Sequence, residues 1–274
     1  AGQGRAAGTE CLKGVIKIYY TDGTEQEIVT NNTEWSVSTD VPLGGSEKRN
    51  SEGDFVEKYD AGAEQTGWST AGFDDGEWSI AELAYPDNET LIPELSSQTE
   101  YEIKPVSVTI LDDGTAVADF GEVIPARPTI TFENGEDGRE ITIQAGYVLK
   151  PDGSINTSDD KTQSTDMTWE YIQKQGEQTY NAWDHLGFRY LSVPECGEKF
   201  SMDTITARVV HTDVPEERRS TIKTSNEMLN SVYELMSRSA LYSIQNSFVD
   251  TPTREKGQFL QDSINISEAS SATL

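Results

Sequence analysis

The 274 residues carry 48 acidic against 21 basic side chains, and a formal net charge of −27 repels phosphate backbones and anionic lipid, so neither nucleic acid nor a membrane surface is an expected partner. Cys11 and Cys196 are too few for a disulfide framework or a thiolate metal centre; no cofactor or metal is expected, and the acidity reads as solubility or salt adaptation rather than a cation site. Five Trp, eleven Tyr and eight Phe spread along the chain mark folded polymer long enough for one large or two moderate domains, and no run reaches the roughly 20 apolar residues of a membrane span.

The amino-terminal residues show none of the regions of a signal peptide, and the Asn-x-Ser/Thr triplets at Asn31, Asn88, Asn156 and Asn265 matter only on a eukaryotic secretory route, so localisation stays open. Val15–Tyr20 and Glu27–Val29 flank Asp22-Gly23, the strongest short hairpin signal. Residues 40–62 are rich in Gly, Ser and charge and read as surface loop. Gly67–Trp78 places Trp68, Phe73 and Trp78 between turn residues, which reads as aromatic core and turn; it is similar to a jelly-roll edge in carbohydrate-active proteins. Proline-marked, polar sequence from Tyr85 through Glu102 is the expected linker.

Short strands then recur: Val106–Ile110, Ala116–Gly121, Thr129–Phe132, Ile141–Ile143, Tyr147–Leu149, Met167–Ile172, Trp183–Val193 and Ile205–Val210, separated by polar turns such as Asp112-Asp113-Gly114 and Asp152-Gly153. That spacing predicts an antiparallel sandwich. After Thr221 the period changes. Leu229, Val232, Tyr233, Met236 and Ala240 share one helical face, with Thr224 and Glu227 as a capping box. A second helical tract runs from near Gly257 toward Leu274. A domain that opens with one helix and stops within the next cannot bury a core, so a fragment of a longer protein is expected.

Between the two helical tracts lies Asp250-Thr251-Pro252-Thr253-Arg254-Glu255-Lys256-Gly257-Gln258-Phe259-Leu260-Gln261-Asp262. Its carboxyls and guanidinium around a proline turn are the ingredients of general acid catalysis: one carboxyl holds a proton for a leaving oxygen while its neighbours orient it. His185 and His211 read as structural, and two histidines without a nucleophile elbow leave little for triad hydrolysis or histidine zinc sites.

The loop resembles the Asp-Cys-Pro-x-Arg-(x)-Glu-Arg segment, followed by an aromatic and an Asp, of the bacterial α-L-rhamnosidases of glycoside hydrolase family 78. Asp250, Pro252, Arg254, Glu255, Phe259 and Asp262 fall on that pattern, with Thr251 in place of Cys and Gln258–Asp262 in place of Gly-Trp-x-Gly-Asp. Upstream, Ala118-Asp119-Phe120-Gly121, with Glu122 in place of Gln, Gly187-Phe188-Arg189-Tyr190, Val209–Asp213, Thr224–Asn230 and Asn246 resemble further family segments in the family's order.

The resemblance implies a mostly β chain with two antiparallel, jelly-roll-like β-sandwich domains, residues 1–95 and 100–216, then residues 220–274 as the first helices of an (α/α)6 toroid. It implies an inverting glycosidase releasing terminal α-L-rhamnose from a rhamnose-containing glycoside or polysaccharide. Glu255 would be the general acid, Asp250 and Asp262 would bind the sugar hydroxyls, Arg254 would order the loop, and Phe259 would take the place of an indole platform. Inversion needs a second carboxylate across the sugar, which in the family lies far downstream, so this chain alone is expected to be inactive. Glu57–Gly62 is only weakly similar to the family's calcium-linked loop, with Gly62 where Arg is common, and calcium and sugar binding there are left open. The alternative is a non-catalytic carbohydrate-binding protein using Trp68, Trp78 and Trp183 as platforms. The substrate's identity and the oligomeric state are left open.

Overall fold

The computed structural model describes residues 11–51, 54–83, 91 and 97–274, and the chain is mostly β with few helices. Among the described residues, those within Pro42–Gly62 and Ser96–Leu274 form a larger compact unit, and those within Arg5–Val41 and Ala63–Leu95 a smaller one.

In the smaller unit β1 (Val15–Tyr19) pairs antiparallel with β2 (Glu25–Val29), from Val15 opposite Val29 to Tyr19 opposite Glu25. The Asp22-Gly23 turn is where the sequence places it. Gly23 takes a φ of 85°, and the Asp22 carboxylate accepts from the Thr24 amide at 2.9 Å. The short β3 (Ser36–Val37) pairs with β6 (Ser79–Ile80); β4 (Leu43–Lys48) and β5 (Phe55–Asp60), between them in sequence, belong to the larger unit. Phe73 and Trp78 pack with ring centroids 5.7 Å apart, whereas Trp68, expected in the core, is exposed. The linker stretch from Tyr85 to Pro93 lies outside the described residues except for Leu91.

The larger unit is built on one continuous sheet path. Its further strands are β7 (Gln98–Ile103), β8 (Ser107–Ile110), β9 (Ala116–Gly135), β10 (Glu140–Gly146), β11 (Thr168–Ile172), β12 (Gly176–Asn181), β13 (Leu186–Val193) and β14 (Ile205–Thr212). The order is β4-β5-β11-β10-β13-β9-β14-β7, with β8 and β12 also paired to β9. All of these pairs are antiparallel except β5 with β11, which is parallel. Strand β9 replaces the two strands expected at 116–121 and 129–132. Its register against β13 shifts between Phe188 opposite Ile124 and Tyr190 opposite Asp119, and Gly121 at a φ of 81° supplies the left-handed residue of that bulge. Beyond the bulge β9 takes new partners, β14 and β12, so one strand serves both faces of the core.

Ring contacts show the faces meeting. Phe132 of β9 stacks on Tyr171 of β11 at 5.5 Å, and Tyr59 of β5 lies 6.0 Å from Tyr180 of β12. Trp169, Phe188, Phe132, Ile143 and Leu191 are fully buried, each contributing roughly 1.5–3 kcal/mol by leaving water. Residues 40–62, expected as loop, supply β4 and β5, and polar Gln98–Ile103, expected as linker, is the edge strand on β14.

The helices are α1 (Asp159–Thr162), α2 (Glu227–Tyr242) and α3 (Leu260–Thr273). The cap of α2 is Asn226 rather than the expected Thr224–Glu227 box. Asn226 is extended and its side chain accepts from the Leu229 amide at 3.2 Å, while the Thr224 hydroxyl is taken by Asn230 at 2.9 Å. Helix α2 buries Ala240 and Leu241, and Leu229, Val232 and Met236 of the expected apolar face stay exposed.

Candidate active site

The segment from Asp250 to Gly257 is a closed loop. The Asp250 amide donates to the Gly257 carbonyl at 3.1 Å, and the Gly257 amide donates to Asp250 Oδ1 at 2.8 Å. Gly257 lets the Phe259 ring approach closely, since a Cβ there would meet the ring at 2.7 Å, and Phe259 then caps α3 in an extended conformation.

Thr253, 2% exposed, docks the loop on the sheet. Its hydroxyl accepts from the Gly187 amide at 2.9 Å, donates to the Gly187 carbonyl at 3.2 Å and lies 2.6 Å from the Tyr147 hydroxyl, which uses its full hydrogen-bonding capacity. A Cβ on Gly187 would come within 2.6 Å of Pro252 Cγ, so the first residue of the Gly-Phe-Arg-Tyr segment is glycine because the loop sits on it.

At the loop's tip Arg254 Nη2 pairs with Glu255 Oε1 at 2.8 Å, and the Glu255 side chain keeps 18% of its surface exposed. The Arg254 carbonyl accepts from Asn50 Nδ2 at 2.7 Å. Lys256 adopts a φ of 49° and its ammonium reaches Asp184 Oδ1 at 2.6 Å. Burial works to raise the Asp184 pKa, but Lys256 and Arg49 outweigh it and hold the carboxyl below its ordinary range. Asp250, Arg254 and Glu255 are thus gathered by the loop, whereas Asp262 is carried by the first turn of α3, half-buried.

Asn50, Gly187, Asp184 and Thr253 are site-forming residues that the sequence reading did not select. Thr253 lies within the acidic loop, Asp184 within the Trp183–Val193 tract and Gly187 within its motif, but none is given a role there, and Asn50 carries no signal. Two further segments of that reading meet beside it: Asp119 and Arg189 form a bidentate pair at 2.8 and 2.9 Å. Glu122 accepts Arg238 of α2 at 2.9 Å, a partner suited to a carboxylate where the family has Gln. His211 is buried with Nδ1 2.7 Å from the Thr212 carbonyl, and His185 immediately precedes β13. Among the described residues no group of three or more His, Cys, Asp or Glu is arranged to hold a metal.

Two family models match in succession: an alpha-L-rhamnosidase N-terminal domain over residues 3–102 and a bacterial alpha-L-rhamnosidase concanavalin-like domain over residues 109–211. An alpha-L-rhamnosidase of Streptomyces avermitilis is 27% identical over 93% of this chain and 24% of its own length, and one of Formosa agariphila 26% identical over 94% and 27%. The solved alpha-L-rhamnosidase from Dictyoglumus thermophilum superimposes with a TM-score of 0.73 at 26% identity, covering 88% of this chain and 26% of that one. The structure of the Streptomyces avermitilis enzyme complexed with L-rhamnose gives 0.73 at 25% identity, over 89% of this chain and 23% of its own. The chain spans about a quarter of the length of these relatives. Matched in order by two domain models of one enzyme family, and alike in fold to solved members, the chain belongs to the α-L-rhamnosidase family.

Proposed function

We propose that the chain is part of an inverting α-L-rhamnosidase, with Glu255 as the general acid that protonates the glycosidic oxygen of a terminal rhamnoside. The observation that carries this is the rigid presentation of the loop: Thr253 fixes it to Gly187, Asp250 closes it, and Glu255 stands at its tip, partly exposed. Arg254 pairs with Oε1, and the guanidinium fixes the direction in which the carboxyl points.

Asp250 and Asp262 take the sugar hydroxyls in this reading, and Phe259 offers a ring to the sugar face. Helices α2 and α3 are the opening of an (α/α)6 toroid, and the domain division runs 1–95, 100–216 and 220–274, with residues 42–62 of the first stretch lent to the sheet of the second as β4 and β5. Inversion calls for a second carboxylate roughly 6.5–9.5 Å from the acid with a water between them. No residue of this chain is assigned that part, so the 274 residues alone are expected to lack turnover.

The test is hydrolysis of phenyl α-L-rhamnoside, whose leaving group needs a proton, by the longer protein that carries this chain, with and without Glu255→Gln. The substitution should cost on the order of 10²–10⁴ in rate; unchanged turnover sinks the assignment. A second reading, a glycan-binding β protein, is favoured by the exposed indoles of Trp68 and Trp183. It predicts retention on rhamnose-containing glycans with no hydrolysis, indifferent to Glu255→Gln.

A further inference from the structure

Both chain neighbours of Glu255 are held by residues from distant parts of the larger unit. Before it, the Arg254 carbonyl is fixed by Asn50, itself 8% exposed. After it, Lys256 is bound by Asp184, and its φ of 49° is a backbone state that a non-glycine residue keeps only where its surroundings impose it. Asp184 is in turn held rigidly. Glu57, 6% exposed, accepts the Asp184 amide at 2.7 Å, the Trp183 amide at 3.0 Å and the Tyr180 hydroxyl at 2.7 Å.

Arg49, 1% exposed, completes the brace. It donates to the Asp166 carbonyl at 2.7 Å, faces Asp184 Oδ2 at 3.5 Å and lies over the Trp169 ring at 5.7 Å. Two cations and two carboxylates are therefore set into a largely buried network that ends on the residue after Glu255. Such networks add little net stability, because desolvation offsets most of the attraction. Their worth lies in fixing position, and the position fixed here is that of the loop tip.

We infer that Asp184, acting through Lys256, is a positioning residue for Glu255, aligning its carboxyl with the glycosidic oxygen. This rests on the reading of Glu255 as general acid. A misplacement on the order of 1 Å can cost about 10²-fold in rate. A displaced acid also has a signature that simple destabilisation lacks: it hurts only those substrates whose leaving group needs a proton.

The experiment uses the full-length protein and two substrates, phenyl α-L-rhamnoside and 2,4-dinitrophenyl α-L-rhamnoside, whose leaving group departs without protonation. Asp184→Asn should lower kcat on the phenyl substrate by about 10–100-fold and on the dinitrophenyl substrate by about 3-fold or less, with KM little changed. Lys256→Met should give the same selective loss, and Lys256→Arg, which keeps the ion pair, should restore most of it. Lys256→Met decides the matter if Asp184→Asn does not fold. Equal losses on both substrates, or a change in KM alone, overturn the positioning role. Glu255→Gln serves as reference. If it shows no selectivity for leaving group, the general-acid reading falls and this inference with it; if it is selective while Asp184→Asn and Lys256→Met are not, only the positioning role falls.

Discussion

Gly187→Ala tests how tightly the candidate catalytic loop is bound to the sheet. The added methyl would lie 2.6 Å from Pro252 Cγ and 3.0 Å from Thr253 Oγ1. Carbon pairs rest at about 3.5–4.0 Å, so the loop must withdraw by roughly 1 Å. Overpacking of this kind costs about 1–3 kcal/mol. The same shift stretches the Thr253 bonds to the Gly187 amide and carbonyl, now 2.9 and 3.2 Å, and each is worth about 0.5–1.5 kcal/mol net. The sum is about 2–6 kcal/mol, which lowers the melting transition of a unit of this size by roughly 4–24 °C.

Calorimetry is the assay, with the transition of the larger unit followed by itself, since two compact units need not melt together. Thr253→Val leaves the buried Gly187 groups without their partner and should cost about 1–3 kcal/mol. Because both changes break one contact, the double variant should lose less than the sum of the singles. A Gly187→Ala protein melting within about 1 °C of its parent, or strictly additive losses, refutes the docking argument.

The Asp119–Arg189 pair is bidentate but partly open to solvent, so Arg189→Lys should cost about 1 kcal/mol or less by urea denaturation; a loss several times larger would mean that the pair orders the β9 bulge as well. Burial, reinforced by the Arg219 charge, holds the His211 pKa below its ordinary 6.5 against the pull of the Thr212 carbonyl. The unfolded chain therefore takes up the proton first as pH falls. His211's contribution is full above 6.5 and lost as pH drops through that value toward the lower folded pKa. Urea midpoints at graded pH should show a loss toward acid in the parent that His211→Phe reduces, and parallel profiles would rule the reading out.

Where apolar residues alternate and turns carry Asp-Gly, the sequence is transparent. The β1–β2 hairpin and the strands β8, β10, β11, β13 and β14 lie where alternation places them. The misses have local causes. Strand β5, Phe-Val-Glu-Lys-Tyr-Asp, looks like charged loop because one inward position is Glu57, whose carboxylate is buried against backbone amides rather than apolar groups. Strand β12 hides in the same way behind buried Gln178, which accepts from the Tyr171 hydroxyl at 2.8 Å. The prolines at 125 and 128 suggest a break between two strands, yet both lie within β9, opposite Gly187 and Ala207. At the site, spacing exposed the acidic loop but not its supports. Asn50 is 204 positions from Arg254 in sequence, and no local pattern can join residues that only the sheet brings together.

The convergence of the family-like segments has a physical explanation in β9 and β13. The β9 bulge releases Asp119 to pair with Arg189, and leaves Glu122, beyond it, to accept Arg238 of α2. Two residues before Arg189, Gly187 receives Thr253. One stretch of two paired strands therefore supports both the helix before the loop and the loop itself. The net charge of −27 gives no hint of this neighbourhood, where Arg49, Arg254 and Lys256 are set against Asp184 and Glu255. At separations of 2.6–3.5 Å these partners act on one another far more strongly than the surplus of surface carboxylates, which salt screens within about 10 Å. The geometry of the loop should accordingly tolerate changes in surface charge and fail on the loss of one buried partner.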